Sequence, residues 1–548
     1  MAGSQFIDET SVGSSSSVTS KQVAAKAELD KGATLHKQGS LSAALKHYCN
    51  ALDILGISLT DIDGFKVTDD VPRNSIVSDA LHWYGALHVQ QLAQEENAGE
   101  DDDEDTREGA PVSPASTPMS RTLSEEKRKQ VRKWLSVLQA AVAALPDDAE
   151  SSKRARALNS VGTALLLLGD SGVDEAAAVL REAVKLSQSS YPVRNNLVKC
   201  LRRKAKDSTP DAEELLEREV ATILQQMANL RPEQPGIFYR LGMCLKRINK
   251  TEDAIKALER HLEASREAAN GDSKASEKLP AQFSSWRTAQ TQHWLAVMKG
   301  DNTATAPPEY VASLFDDYAD HFEEHLVQKL SYRTPDLIAE DIRKLDLPVS
   351  DWRRAADLGC GTGLMCPPLR SLGFAGRLEG VDLSEGMLSQ ALRKGDAGVG
   401  YDRLLCGDIL DVFEAAPEEI EAKSPLQVEH VSQQSRKTDD APSEHCLFDV
   451  VVSADVFVYI GNLAPTFKKV SQWLKPGGVF AFSTEALSPE EKVPFKLNQT
   501  GRYTHALSYI EDLAMGEDFS VTSSRAVVLR MNAGKPVNGH VHILRRSL

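Results

Sequence analysis

The chain has 548 residues, 41% of them hydrophobic, and a formal net charge of −16. That length exceeds a single hydrophobic core and calls for two or three domains of about 100–200 residues each, while the acidic balance argues against a general nucleic-acid binder, whose phosphate affinity comes from clustered Lys and Arg. Seven scattered cysteines without a Cys-x-x-Cys pair, a Ser-rich start without Arg, and no apolar run of membrane-spanning length lead to the expectation of a cytoplasmic protein with no membrane partner.

Residues 1–20 read as a disordered start, and 21–267 as helical repeats. Counting from Gly32, the small or aromatic residues Gly39, Ala44, Tyr48 and Ala51 fall at the intervals of the tetratricopeptide (TPR) pattern, which places small side chains where paired helices touch. A second copy uses Gly162, Leu165, Gly169, Ala176, Leu180 and Ala183, and a third uses Gly242, Leu245, Ala254 and Leu258. A plain helical bundle is the competing reading. The stretch 95–120 opens with a dense acidic run and cannot bury enough apolar surface to order itself, so a disordered insertion is expected there; Ser113 and Thr117 before prolines would allow phosphorylation to tune it. Stacked repeats leave a groove suited to a protein partner.

Residues 268–308 read as a linker with one connecting helix, and 309–548 as the second folded domain. Phe315, Tyr318, Phe322 and Leu326 recur at helical spacing. From 352 onward short apolar runs at 355–358, 378–381, 404–406, 448–453 and 479–483 alternate with helices, the signature of a parallel, doubly wound sheet. The polar stretch 415–444 is far longer than a usual connection and is expected to be a second disordered insertion.

The chemistry is concentrated after the first of these strands. Asp357 is followed by Gly359, Gly361 and Gly363, a strand, tight turn and helix in which side chains are absent where a ligand approaches the main chain. The next strand ends in Asp382, placed to accept the ribose hydroxyls of an adenosine group. Leu364 stands where a dinucleotide turn would have glycine or alanine, which disfavours a dehydrogenase.

Together with Asp408 after the third strand and Pro476, Gly477 and Gly478 before the fifth, these motifs resemble the class I S-adenosylmethionine-dependent methyltransferases. Segments around 308–322, 330–335, 454–461, 480–485 and 501–505 are similar to the predicted methyltransferases with TPR repeats. The resemblance implies an α plus α/β multidomain chain, N-terminal TPR-like repeats followed by a Rossmann-like seven-stranded methyltransferase domain, with a final antiparallel pair at 521–530 and 540–545. It implies S-adenosylmethionine as cofactor, held by Tyr318, Asp357, Gly359, Cys360, Gly361, Gly363, Asp382, Leu383, Asp408 and Ile409. Asp455, Tyr459, Tyr503 and His505 become the catalytic candidates, His505 being equally readable as a core histidine. The competing readings are a packing residue of its helix for Tyr318 and a small buried packing residue for Cys360. The methyl acceptor, protein or small molecule, would be recruited through the repeats; the alternative is an inactive methyltransferase-fold scaffold. No metal is expected, since His430, His445 and Cys446 lack ligand spacing.

Overall fold

The computed structural model describes residues 12–57, 73–96, 124–269, 281–323, 332–395, 400–411, 428–430, 447–532 and 534–548. Nearly all of the acidic insertion expected at 95–120 and most of the polar one at 415–444 lie outside the described residues, as do residues 1–11 of the expected disordered start. The chain divides after Ala254 into two compact units.

The first unit is helical. Its elements are α1 (Val12–Lys37), α2 (Leu41–Ile54), α3 (Ser75–Glu96), α4 (Glu125–Ala143), α5 (Ser151–Leu167), α6 (Val173–Leu186), α7 (Tyr191–Lys206), α8 (Pro210–Leu230), α9 (Pro235–Arg247) and the start of α10 (Thr251–Ala269). Helix α1 begins at Val12, inside the stretch expected to be disordered. Prolines open α7, α8 and α9, where a missing N–H costs nothing. The small residues singled out by periodicity sit at helix crossings: a Cβ on Gly32 would stand 2.5 Å from the Tyr48 ring, and one on Gly162 2.6 Å from Leu180. No helix among the described residues is long and apolar enough to cross a membrane.

The second unit is an α/β sheet domain. It comprises α11 (Ala281–Lys299), α12 (Pro308–Asp316), α13 (Thr334–Arg343), β1 (Arg354–Leu358), α14 (Cys366–Ser371), β2 (Arg377–Asp382), α15 (Glu385–Gly395), β3 (Arg403–Cys406), β4 (Val428–His430), β5 (Phe448–Ser453), α16 (Ala464–Trp473), β6 (Leu474–Glu485), β7 (Phe495–Leu497), β8 (Tyr503–His505), α17 (Leu507–Gly516), β9 (Phe519–Asn532) and β10 (Lys535–Arg546). The main sheet has the order β4-β3-β2-β1-β5-β6-β10-β9, and β7 pairs with β8 in a separate ribbon. Strands β4 to β6 are parallel to their neighbours, and the β6–β10–β9 edge is antiparallel. The central strands are largely apolar because helices cover both faces, giving a core layer around Ala355, Leu378 and Val450 and another around Leu358, Val451 and Phe480.

Three differences from the sequence reading have physical causes. The sheet has eight strands instead of seven, because Val428–His430, inside the expected polar insertion, pairs with β3. The expected continuous helix through Phe315, Tyr318 and Phe322 breaks after Asp316 into a short 3-10 turn, and Leu326 lies outside the described residues. Helix α11, read as part of a linker, packs on the sheet domain: His293 Nε2 donates to the Gly501 carbonyl at 2.9 Å and Gln499 to that of Val297 at 3.3 Å.

Charge anchors the strand starts. Asp449 accepts from the backbone N–H groups of Arg353 and Arg354 at 2.7 and 2.9 Å and from Lys475 at 2.7 Å, tying the starts of β1, β5 and β6 together. Glu379, fully buried in β2, is paired with Arg354, Arg377 and Arg403 at 2.6, 3.3 and 3.5 Å. Glu379→Ala therefore leaves cations in a low-dielectric wall without their counter-charge and should cost about 3–5 kcal/mol, read as a lowered urea midpoint for the sheet domain of the full-length protein.

Candidate functional site

The loops that follow β1, β2, β3 and β5 converge on one cleft. It encloses about 1040 Å³, its open mouth included, and its wall contains Gly359, Gly361, Asp382, Leu383, Asp408 and Ile409 at one end and Asp455, Tyr459, Arg502 and Arg530 at the other. The position follows from the topology, since open parallel sheets present ligand sites beyond the carboxyl ends of their strands.

The glycine turn divides its labour in a way the motif alone does not reveal. All three glycines have positive φ, at +69°, +53° and +89°. A Cβ on Gly359 would collide with Val456 at 2.3 Å, and one on Gly363 would press on Tyr401 at 3.1 Å, whereas one on Gly361 would meet nothing within 4 Å. Gly359 and Gly363 thus serve packing, and Gly361 alone leaves the space a ligand needs.

Asp382 is the centre of the cofactor end. Its Oδ2 accepts from Gly361 N–H at 2.8 Å and its Oδ1 from Ser384 N–H at 2.9 Å. Burial nevertheless pushes its carboxyl up to about 6, the two backbone donors opposing the shift. Lone pairs remain on both oxygens for a pair of ribose hydroxyls. Asp408 accepts from Leu410 N–H at 2.9 Å and, with Ile409 and Leu383, lines the same end.

Asp357, expected to help hold the cofactor, is not on the cleft wall. It is buried, accepts from Tyr401 OH at 2.6 Å, and is pushed up to about 7 by desolvation. Cys360 and Gly363 also lie off the cleft wall; the Cys360 thiol packs against Gly380, and its pKa is raised well above the usual range by burial. Tyr318 is not on the wall either. Its ring packs edge-on against Phe322 at 5.6 Å, and Phe315 and Phe322 face the cleft instead.

The roof is held by polar stitches. Asp316 at the end of α12 accepts from Ser384 OH at 2.6 Å and from Gly386 N–H at 2.9 Å, while Glu323 pairs with Thr362 and Lys394. Residues 302–306 cross the other end: Gly461 and Asn462 N–H donate to the Ala304 carbonyl, and Ala306 N–H donates to that of Tyr459.

Of the four catalytic candidates, the fold brings Asp455 and Tyr459 onto the wall and keeps Tyr503 and His505 behind it. Tyr503 is fully buried and bonded to Thr303 at 2.5 Å. The His505 imidazole is held neutral, its pKa lowered to about 4 by desolvation, and its Nε2 donates to the Ile460 and Gly461 carbonyls at 2.9 and 3.1 Å. Both shape the loop that carries Tyr459. Sequence reasoning missed Arg530, Glu485 and the strap at 302–306. The one available signal was Arg530 directly after the short apolar run 526–529.

With this geometry in hand, comparison with known proteins is informative. Residues 318–526 match the profile of a methyltransferase domain family. A malonyl-[acyl-carrier protein] O-methyltransferase of Brevibacillus brevis is 27% identical over 175 residues, 32% of this chain and 52% of the relative, so the chain spans about half the length of that relative. Similar solved structures include an S-adenosylmethionine-dependent methyltransferase from Mesorhizobium loti, 20% identical over 38% of this chain and 98% of that one, with a TM-score of 0.25. Another, from Clostridium acetobutylicum ATCC 824, is 18% identical over 42% and 98%, with a TM-score of 0.28. The domain match implies S-adenosylmethionine as the cofactor, and the open face of Gly361 together with the spare lone pairs of Asp382 fits it.

Two outcomes check this assignment. Gly361→Val should abolish measurable cofactor binding while the protein stays folded, and Asp382→Ala should weaken binding by about 1–3 kcal/mol by removing the ribose acceptor, both read by titration calorimetry. Because the ligand needs Asp382 ionised and its free carboxyl titrates at about 6, affinity should be fully present above that pH and fall below it, by roughly tenfold per unit once protonation dominates.

Proposed function

We propose that the second unit is the catalytic domain of an S-adenosylmethionine-dependent methyltransferase and that the helical unit is a TPR-type array recruiting the partner that is, or carries, the acceptor. The observation that carries this reading is the single cleft joining Gly361, Asp382 and Asp408 at one end to Asp455, Tyr459 and Arg502 at the other. A cofactor needs the first set, an acceptor the second, and the two share one wall.

The cofactor supplies a sulfonium methyl that is already activated, so the protein's task is largely placement, an effect able to supply about 7–11 kcal/mol. Asp382 and Asp408 hold the adenosine end. Phe315, Phe322 and Val311 exclude water from the middle. Asp455, two residues past the end of β5, faces the acceptor and is the group able to receive a proton. A relative named for methylating a malonyl group on a carrier protein offers a precedent for an acceptor brought by a partner. Activity in the cytoplasm, where thiols such as Cys200, Cys244 and Cys360 stay reduced, is part of the same proposal.

The full-length protein should bind S-adenosylmethionine in preference to NAD by calorimetry, and it should transfer labelled methyl groups to a lysate acceptor faster than residues 255–548 at equal concentration. That fragment keeps α11, which a cut at 300 would remove from its packing site. Heat from NAD alone would sink the cofactor assignment; cofactor binding without transfer would favour the scaffold; equal transfer rates would end the recruitment role of the helical unit.

A further inference from the structure

The acceptor end of the cleft is built from four charges, three of them buried, and a phenol whose hydrogen bonds do not close. Arg530, 2% exposed, reaches from β9 to pair with Asp455 Oδ2 and with Glu485. Arg502, 7% exposed, stands 3.6 Å from Glu485 Oε1, beyond hydrogen-bonding length, with its guanidinium 5.9 Å from the centre of the Tyr459 ring. Three of its buried atoms have no partner among the described residues: Asp455 Oδ1, Tyr459 OH and Arg530 Nε.

Such a cluster is costly to bury, and apolar side chains of similar size would close the sheet edge at less expense. The backbone is also bent to present it. Asp455 sits at φ +61°, a region that few side-chain-bearing residues adopt, with its N–H on Ser483 Oγ at 2.9 Å. Strain and unpaired buried polar atoms on a cleft wall point to a ligand that completes them.

The chemistry of the open valences specifies that ligand. Asp455 Oδ1, on a carboxylate paired with Arg530, can only accept, so its partner must bring a hydrogen. Arg502 can only donate, and its charge favours an anion. A carboxylate as the methylated nucleophile would set one anion against Asp455 and bring no hydrogen, so it fits poorly.

We propose, resting on the methyltransferase reading above, that the acceptor group is a hydroxyl or amine that donates its hydrogen to Asp455 Oδ1 and carries a neighbouring carboxylate or phosphate bound by Arg502. In the transfer, a bond forms between the acceptor oxygen or nitrogen and the methyl carbon while the carbon–sulfur bond breaks, its electron pair staying on sulfur. The acceptor's proton passes to Asp455 Oδ1 and from there to solvent. Arg530 is a positioning residue: by holding Oδ2 it fixes the carboxylate and leaves Oδ1 for the acceptor. Tyr459 OH supplies a further contact to the acceptor.

The test uses full-length protein, methyl-labelled S-adenosylmethionine and a cell lysate separated afterwards into protein and low-molecular-weight pools. The label should survive mild alkali, and the pool containing it tells whether the acceptor is a protein group or a small molecule. Arg502→Gln should raise the apparent KM for the acceptor at least tenfold with cofactor Kd unchanged by calorimetry. Asp455→Asn should lower kcat by about 100-fold, the scale of a lost proton acceptor, again at unchanged cofactor Kd. Alkali-released labelled methanol would identify a methyl ester and overturn the proposal, as would wild-type transfer by Arg502→Gln. A tenfold rise in cofactor Kd for Asp455→Asn would reassign Oδ1 to the cofactor and also overturn it. Cofactor binding without any transfer would overturn the transferase reading itself.

Discussion

The paired hydrogen bonds from Gly361 N–H and Ser384 N–H to the Asp382 carboxylate are the constraint around which the cleft is arranged. The parallel register sets Asp357 opposite Gly380 and Leu358 opposite Val381, which brings the end of β2 beside the turn that follows β1. One carboxylate then joins two chain segments about twenty residues apart. Ser384, held by that carboxylate, bonds to Asp316 and docks the roof helix. Turn, strand-end carboxylate and roof are therefore one hydrogen-bonded unit. A change at Asp382 is felt at each of them.

The sheet carries buried charge clusters at both ends, and their contrast separates structure from function. At the strand starts, Glu379 meets three arginines and Asp449 meets two backbone donors and a lysine, so these anions are well supplied with partners. At the strand ends, among the described residues, Asp455 keeps an oxygen unpaired and Arg502 has no partner closer than 3.6 Å. The first arrangement anchors the sheet. The second has valences left for a ligand. Burial alone would not distinguish them, and Arg377 Nε in the first cluster lacks a hydrogen bond as well; what differs is that both oxygens of Glu379 and of Asp449 are bonded, while Asp455 Oδ1 is not.

The apolar walls do a different task. Phe457, Phe467, Phe480 and Phe482 pack edge-on or tilted behind the cleft, with ring centres 4.4–6.2 Å apart. This block fixes the ends of β5 and β6, and through them Asp455 and Glu485. His505 and Tyr503 extend the support by bonding to the Ile460, Gly461 and Thr303 positions. Residues that look catalytic by type can thus serve geometry, and the distinction depends on which way each ring points.

What could be read along the chain was whatever local spacing encodes. The glycine turn, Asp382, Asp408, the alternation of apolar runs and the small residues at helix crossings all depend on neighbours a few residues away, and the structure places them in the turn, at the strand ends and between helices as their spacing requires. Periodicity is a local property, so it survives without a fold. Partnerships across the sheet are not local. That Asp357 is taken by Tyr401, that Gly359 packs on Val456 while Gly361 stays open, that Val428–His430 adds an eighth strand, and that Arg530 reaches across from the edge strand to Asp455 were decided only when strands distant in sequence became neighbours. Sequence determined which residues could carry the chemistry; tertiary structure decided which of them face the cleft, because orientation and pairing arise from packing between segments that carry no record of one another.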